Sequence, residues 1–388
     1  MKEIYLDNSA STRISDEALA KYNEISRNVY GNPSSLHSLG FLAEKEIRTA
    51  KELLLSSLKA NASSVVFTAS GSEANNLALI GRAFAKERYR RGAKIITTSG
   101  EHASVSEPIS RLAEFGFKIA SIPTKNGELD FAALEDELDE SVILVSIMMV
   151  NNETGALYDT ARVARLMKMK SPEAVLHVDA TQSFMKLKFT KQSIGADLIS
   201  VSSHKIEGPK GVGALIIDEK LIKTRGLAPI IYGGGQEGGL RSGTENVPGI
   251  AAFGEAVRIA SKNLDESFKK LSELRSYFIE RLSEPELSDI SPTLPASHAP
   301  HIVNITLPKI KSETMLHYLS SLGIFVSSGS ACSSNSGSVS TALLAYGKTR
   351  AEADSSLRIS FSPKNEKSDV DALCAALKSG LSRLARIK

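Results

Sequence analysis

The chain has 388 residues, 42% hydrophobic and 23% charged, the composition of a folded protein larger than one ordinary domain. Lysine and arginine number 47 against 44 acidic residues, and the resulting charge of +3 argues against a dedicated nucleic-acid or membrane-surface protein. With only 2 cysteines, Cys332 and Cys374, a secreted disulfide scaffold and a Cys-rich zinc site are excluded, and a reducing cytoplasm fits best.

In chain order, Met1–Leu6 runs into Asp7 and Asn8 without the apolar stretch of a secretion signal. Helical spacing of apolar residues follows at Lys45–Lys59, Glu73–Arg90, Val105–Phe115, Phe131–Leu138 and Thr160–Lys170. Between and after these helices lie short apolar or β-branched runs: Val65–Thr68, Lys94–Thr98, Lys118–Ile122, Val142–Val150, Val175–Val178, Leu198–Val201 and Gly213–Ile217. Val142–Val150 is the most apolar of them, but its nine residues fall well short of the roughly 20 that a membrane helix needs. Strands alternating with helices predict an α/β fold with a mostly parallel sheet covered on both faces. From Gly254 to Leu282 the spacing predicts one long helix, with Val257, Leu264, Phe268, Leu271 and Phe278 on its apolar side. A smaller unit then holds strands at His301–Leu307 and Leu357–Phe361 and helices at Ser312–Leu322 and Ser368–Leu384. The segment Ser327–Ser340, almost all Ser, Gly, Ala and Asn around Cys332, reads as a loop.

Several of these strands end in residues that carry chemistry. Leu198–Val201 leads into Ser202-Ser203-His204-Lys205 and a Gly/Pro-rich turn. A lysine there is placed for a Schiff base to a carbonyl cofactor, with Ser202 and His204 near its phosphate, although a basic surface turn would read the same. The strand before it delivers Asp179, a carboxylate suited to a protonated pyridine nitrogen or, more plainly, to capping a helix. Ser70-Gly71-Ser72 ahead of Glu73 forms a small-residue turn at a helix N-terminus, either a phosphate cup or a start capped by Ser72. His102, just past the strand Lys94–Thr98, is either structural or placed over a planar ring to carry protons. Cys332 sits among small polar residues and is a candidate nucleophile, whereas Cys374 lies within an apolar helix face and reads as core. Arg358 opens a strand where its planar fork suits a substrate carboxylate or a surface ion pair.

Taken in order, the motifs resemble the cysteine desulfurases of the class V aminotransferase group, which are fold-type I enzymes using pyridoxal 5'-phosphate (PLP). The carriers include Tyr5–Ala10, Gly31–His37, Ser70–Asn76, Glu101-His102, Val150–Glu153, His177–Gln182 and Ser202–Lys205 with Gly208–Gly211. Gly233–Glu237, Arg241–Thr244 and Ser327–Cys332 complete them. The resemblance implies a large domain, 15–255, with a mostly parallel seven-stranded sheet. A smaller α+β domain, 1–14 with 256–388, would carry the thiol loop 327–340. It implies that Lys205 holds PLP covalently and then acts as base, with Asp179 at the pyridine nitrogen and Gln182 and Asn152 on the ring-hydroxyl side. His102 would stack on the ring and shuttle protons. Gly71, Ser72, Ser202 and His204 would take the phosphate, joined by Thr244 from the second chain of a homodimer. Arg358 would anchor the cysteine carboxylate, with Asn152 also on the substrate side, and Cys332 would attack the substrate sulfur. The products would be L-alanine and a Cys332 persulfide, donated to an iron–sulfur scaffold or a tRNA-thiolation enzyme, with no nucleic acid or membrane touched directly. The alternatives are another class V enzyme, such as a selenocysteine lyase or an aminotransferase, and a non-catalytic sulfur carrier. An aminotransferase has no need of Cys332, and a carrier has no need of Lys205, Asp179 and His102 together.

Overall fold

A computed structural model of the chain describes residues 3–85, 93–328 and 339–384. Seven strands form the large sheet: β1 (Ser63–Thr68), β2 (Lys94–Thr98), β3 (Lys118–Ile122), β4 (Val142–Met148), β5 (Val175–Asp179), β6 (Leu198–Ser202) and β7 (Gly213–Asp218). Their order is β1-β7-β6-β5-β4-β2-β3. Only β7 runs against its neighbours, β1 and β6, and the other pairings are parallel. Alternate residues feed two separate cores, as a pleat of period two requires. Val65, Phe67, Ile96, Val145, Val178, Ile199 and Ile216 face one side. Val66, Ile95, Leu144, Leu198, Leu215 and Ile217 face the other. Helices Asp16–Asn28, Ser38–Ser57 and Val247–Lys262 contribute to the first core, and Gly71–Ala83 and Ala103–Glu114 to the second. Every residue of β4 is buried, which explains why its sequence is apolar without alternation.

A third core lies around a four-stranded antiparallel sheet of Ser291–Thr293, Ile302–Thr306, Ser356–Ser360 and Ser327–Ser328. Helices Leu264–Leu282, Ser312–Ser321 and Lys367–Leu384 supply Leu271, Phe278, Met315, Leu319, Val370 and Leu377 to it. Cys374 is 1% exposed in this core, and burial pushes its thiol up to about 11, so it is packing material. Ile4–Tyr5 pairs in parallel with Ile324–Phe325, which fixes the start of the chain to this C-terminal unit.

The long helix expected over Gly254–Leu282 is two helices that meet at Asn263 (φ −103°, ψ 8°). Its unbroken apolar period hides a change of partner: Val257 packs under the large sheet, while Leu271 and Phe278 belong to the third core. Phe268, expected on the apolar side, is exposed. The helix expected at Glu73–Arg90 spans Gly71–Ala83, with residues 86–92 outside the described set. Pairing in β4 stops at Met148, after which Val150 makes a single bridge to Leu157. Helix Asp16–Asn28 and the short helices Thr341–Tyr346 and Arg350–Asp354 have no counterpart in the sequence reading.

Candidate active site

The carboxyl ends of β4, β5 and β6 open on one edge of the sheet, the usual place for a ligand in an open α/β sheet. There they border a cavity of 420 Å³ together with the turn before Gly71–Ala83, the start of Ala103–Glu114 and the strand carrying Arg358. Of the residues singled out in the sequence, Gly71, Ser72, His102, Asn152 and Asp179 line this cavity. So do Gln182, Ser202, His204, Lys205 and Arg358. Thr244 does not: it is exposed and borders a separate hollow of 100 Å³. Cys332 lies outside the described residues, but Ser328 lines the cavity, and Ser340 donates to Glu153 Oε2, on its wall, at 2.6 Å.

At the turn, Ser70 and not Ser72 caps the helix. Ser70 is extended (φ −168°, ψ 167°), so its Oγ reaches the Glu73 N–H at 3.1 Å. Ser72 lies within the first turn and lines the cavity. A Cβ at Gly71 would come within 3.2 Å of the Ser202 Cβ and 3.3 Å of the Thr181 Oγ1, so the glycine lets the helix start approach the end of β6.

Asp179 ends β5 and is 6% exposed. Its Oδ1 accepts from the Thr181 N–H at 2.9 Å and its Oδ2 from Asn75 Nδ2 at 2.8 Å. Lys205, in the turn after β6, donates from Nζ to the Ser9 and Ala10 carbonyls at 2.5 and 2.9 Å. Gln182 Nε2 donates to the same Ser9 carbonyl at 3.0 Å. His204 bonds the Ser11 hydroxyl at 3.2 Å, and burial, then Lys205 and Lys210, push it down to about 4, so it is neutral near pH 7.

His102 caps the helix Ala103–Glu114, its Nδ1 accepting from the Ser104 N–H at 3.1 Å and lying 2.8 Å from Ser104 Oγ. Burial lowers its pKa; Lys205 and Arg358 add to this, while Asp179 opposes it. The preceding Glu101 is 5% exposed and is pushed up to about 8 by burial. It ties the Met148 N–H at the end of β4 to Thr98 Oγ1, with Oε1 distances of 2.9 and 2.7 Å. Arg358 is 6% exposed and donates to the Asn152 carbonyl at 2.9 Å, Asp7 Oδ1 at 3.0 Å and Ser327 Oγ at 3.1 Å. Sequence reasoning gave no role to Asn75, Asp7, Glu153 or the Ser9 carbonyl. Their signal was present only as membership of motifs quoted as blocks, because a main-chain acceptor or a cross-element amide leaves no trace in spacing.

A model of the family described as "Aminotransferase class-V" matches residues 4–373. The chain belongs to that family. A cysteine desulfurase of Archaeoglobus fulgidus, named IscS 1, is 38% identical over 92% of this chain and 91% of its own length. The solved structure of a NifS-like protein superposes with a TM-score of 0.90 at 34% identity, covering 98% of this chain and 100% of its own. Another solved structure, titled "SspA in complex with cysteine", has a TM-score of 0.79 and 29% identity over 94% of this chain and all of its own.

The family uses PLP, and the residues of the cavity fit that cofactor. Ser202 Oγ and Gln182 Oε1 are buried without a hydrogen-bond partner among the described residues, as groups awaiting a polar ligand would be. The first-turn N–H groups at Gly71 and Ser72 have no intrahelical acceptor and suit an anion. Asp179 offers a buried carboxylate already held by two donors, and Lys205 a primary amine in the same cavity.

Proposed function

We propose that this protein is a PLP-dependent cysteine desulfurase that moves the sulfur of L-cysteine onto Cys332 and releases L-alanine. The observation that carries the reading is a single cavity uniting Lys205, Asp179, His102, Gln182, Ser202 and Arg358. On this reading Asp179 and Gln182 hold the cofactor ring, Lys205 binds it covalently, and Gly71, Ser72, Ser202 and His204 hold its phosphate. Bound PLP supplies an electron sink that eases proton loss from the substrate α-carbon. Lys205 then serves as the base at that carbon. Arg358, already turned by Asp7 and Asn152, orients the substrate through its carboxylate. Cys332 meets the sulfur as thiolate; the carbon–sulfur bond breaks, leaving a persulfide on Cys332 and the three carbons as alanine. Ser328, before the segment that carries Cys332, lines this cavity, and Ser340, after it, bonds Glu153 on the cavity wall, which supports the role.

The same reading extends to assembly. Exposed Tyr30, Leu36, Phe41 and Tyr232 give apolar surface for a second copy, whose Thr244 would reach the phosphate; the placement of Thr244 away from its own cavity supports this homodimer. The three cores support a large unit and a small one, with the helix break at Asn263, a few residues past the boundary expected at 255, as the seam and Ile4 and Leu6 on the small side. Among the described residues no helix is long and apolar enough to cross a membrane. A cytoplasmic enzyme passing sulfur to an iron–sulfur scaffold or a tRNA-thiolation enzyme accords with a charge of +3 and a cysteine-poor chain. The test is to incubate the PLP-loaded protein with L-cysteine and measure alanine and sulfide beside Cys332→Ser. The parent should form alanine and the variant should not. Equal alanine from both would remove Cys332 from the mechanism, and absence of the PLP absorbance band after reconstitution would remove Lys205.

A further inference from the structure

His102 stands at one end of a chain of hydrogen bonds whose other end is Asp179. Asn75, in the helix Gly71–Ala83 and 1% exposed, donates from Nδ2 to both Asp179 Oδ2 and Ser104 Oγ, each at 2.8 Å. A carboxylate only accepts, so Asp179 dictates which way the Asn75 amide faces and directs its second N–H at Ser104. The Ser104 hydroxyl, accepting from Asn75, has its own proton free for the nearest acceptor, His102 Nδ1 at 2.8 Å. The Ser104 main-chain N–H points at that same Nδ1 from 3.1 Å. Two donors converge on one ring nitrogen, which leaves no place there for a proton. His102 Nε2 has no hydrogen-bond partner among the described residues, and the ring borders the cavity.

We propose that Asn75 and Ser104 are positioning residues that hold neutral His102 as its Nε2–H tautomer, so that the ring offers the cavity a donor rather than a lone pair. The orientation originates in the Asp179 carboxylate and passes through the Asn75 amide and the Ser104 hydroxyl to the ring. The catalytic meaning rests on the function proposed above: Lys205 is the base at the α-carbon, and His102 donates a hydrogen bond to charge that develops beside it. His102 takes up a proton only at Nδ1, and then only by turning the Ser104 hydroxyl away and opposing the Ser104 N–H. The charged groups acting on it are Asp179, which favours protonation, and Lys205 and Arg358, which oppose it.

The tautomer is read directly, without turnover, from imidazole 1H–15N correlation spectra of the full-length, cofactor-loaded protein labelled at its 7 histidines, with His102 assigned by His102→Gln. The expected pattern is a pyridine-like Nδ1 and a pyrrole-like Nε2. Ser104→Ala removes one donor to the Nδ1 lone pair and should raise the proton affinity of His102 about tenfold, a shift of about one pH unit in its midpoint, while Ser104→Thr restores the parent value. A pyrrole-like Nδ1 in the parent protein overturns the proposal without any variant, as does an unmoved midpoint in a folded Ser104→Ala. Failure to form alanine from cysteine would sink the desulfurase reading and leave the tautomer result standing, so the two failures are distinguishable.

Discussion

Lys186 is the sharpest test of how burial and charge trade off in this fold. It is 7% exposed and lines a second cavity, of 280 Å³, at the seam between the large sheet and the small unit, which Lys205 also borders. It forms no hydrogen bond or ion pair from its ammonium within the described residues, and the carboxylate that acts on it, Glu207, is paired with Lys364. Desolvation therefore pushes Lys186 down from 10.5 to about 8, against a smaller upward pull from Glu207. Because the folded value is depressed, the unfolded chain binds the proton more tightly. The penalty is complete below about pH 8, shrinks as pH rises and vanishes above 10.5. A shift of that size corresponds to about 3 kcal/mol at pH 7 and about 1 kcal/mol at pH 9.5. Lys186→Met keeps the apolar stem and removes the charge, so it should raise stability by these amounts, read as ΔG from urea unfolding at the two pH values. A loss of stability at pH 7, or a gain that does not change with pH, would refute the reasoning.

Glu101 runs with the opposite sign. Its folded value near 8 lies above the usual 4.5, so stability should fall by about 4 kcal/mol as pH rises from 4.5 to 8, and Glu101→Gln should flatten that slope in the same urea assay. Gly213→Ala would put a Cβ 2.4 Å from the Ser70 carbonyl carbon and 2.7 Å from the Gly71 nitrogen, both main chain. The turn must move, costing about 1–3 kcal/mol in thermal unfolding and weakening PLP retention in an absorbance titration; unchanged retention would clear the turn of a phosphate role. Arg358→Lys loses the planar fork and its bonds to Asn152, Asp7 and Ser327. The KM for L-cysteine should rise about tenfold or more with PLP binding intact, and an unchanged KM would place the substrate carboxylate elsewhere.

The sheet was legible because strands buried on both faces, such as β4, are short, apolar and bounded by helices of a different period. Asp179 and Lys205 were legible for a related reason: one ends such a strand and the other follows one, so the position at the sheet edge comes with the strand itself. The break at Asn263 was not, since the apolar period continues through it while the surface it packs on changes. Capping by Ser70 depends on an extended backbone at one residue, which Ser70-Gly71-Ser72 does not distinguish from capping by Ser72. Asn75 and Ser104 escaped because they are ordinary helix residues whose importance lies in meeting across two helices. The Ser9 carbonyl, which receives both Lys205 and Gln182, has no side-chain signature at all.

The place of Ile4–Tyr5 also makes the lysine pocket a long-range product of the fold. Ile4 and Leu6 pack in a core built otherwise from residues 271–377, and Ile4–Tyr5 pairs with Ile324–Phe325. Only three residues beyond Leu6, the Ser9 carbonyl meets Lys205. Ile4 and Leu6 therefore have no seat until this third core has formed. The lysine pocket is thus closed by a contact between distant parts of the sequence, and a chain lacking Ile324–Phe325 lacks the strand that anchors the wall against which Lys205 is set.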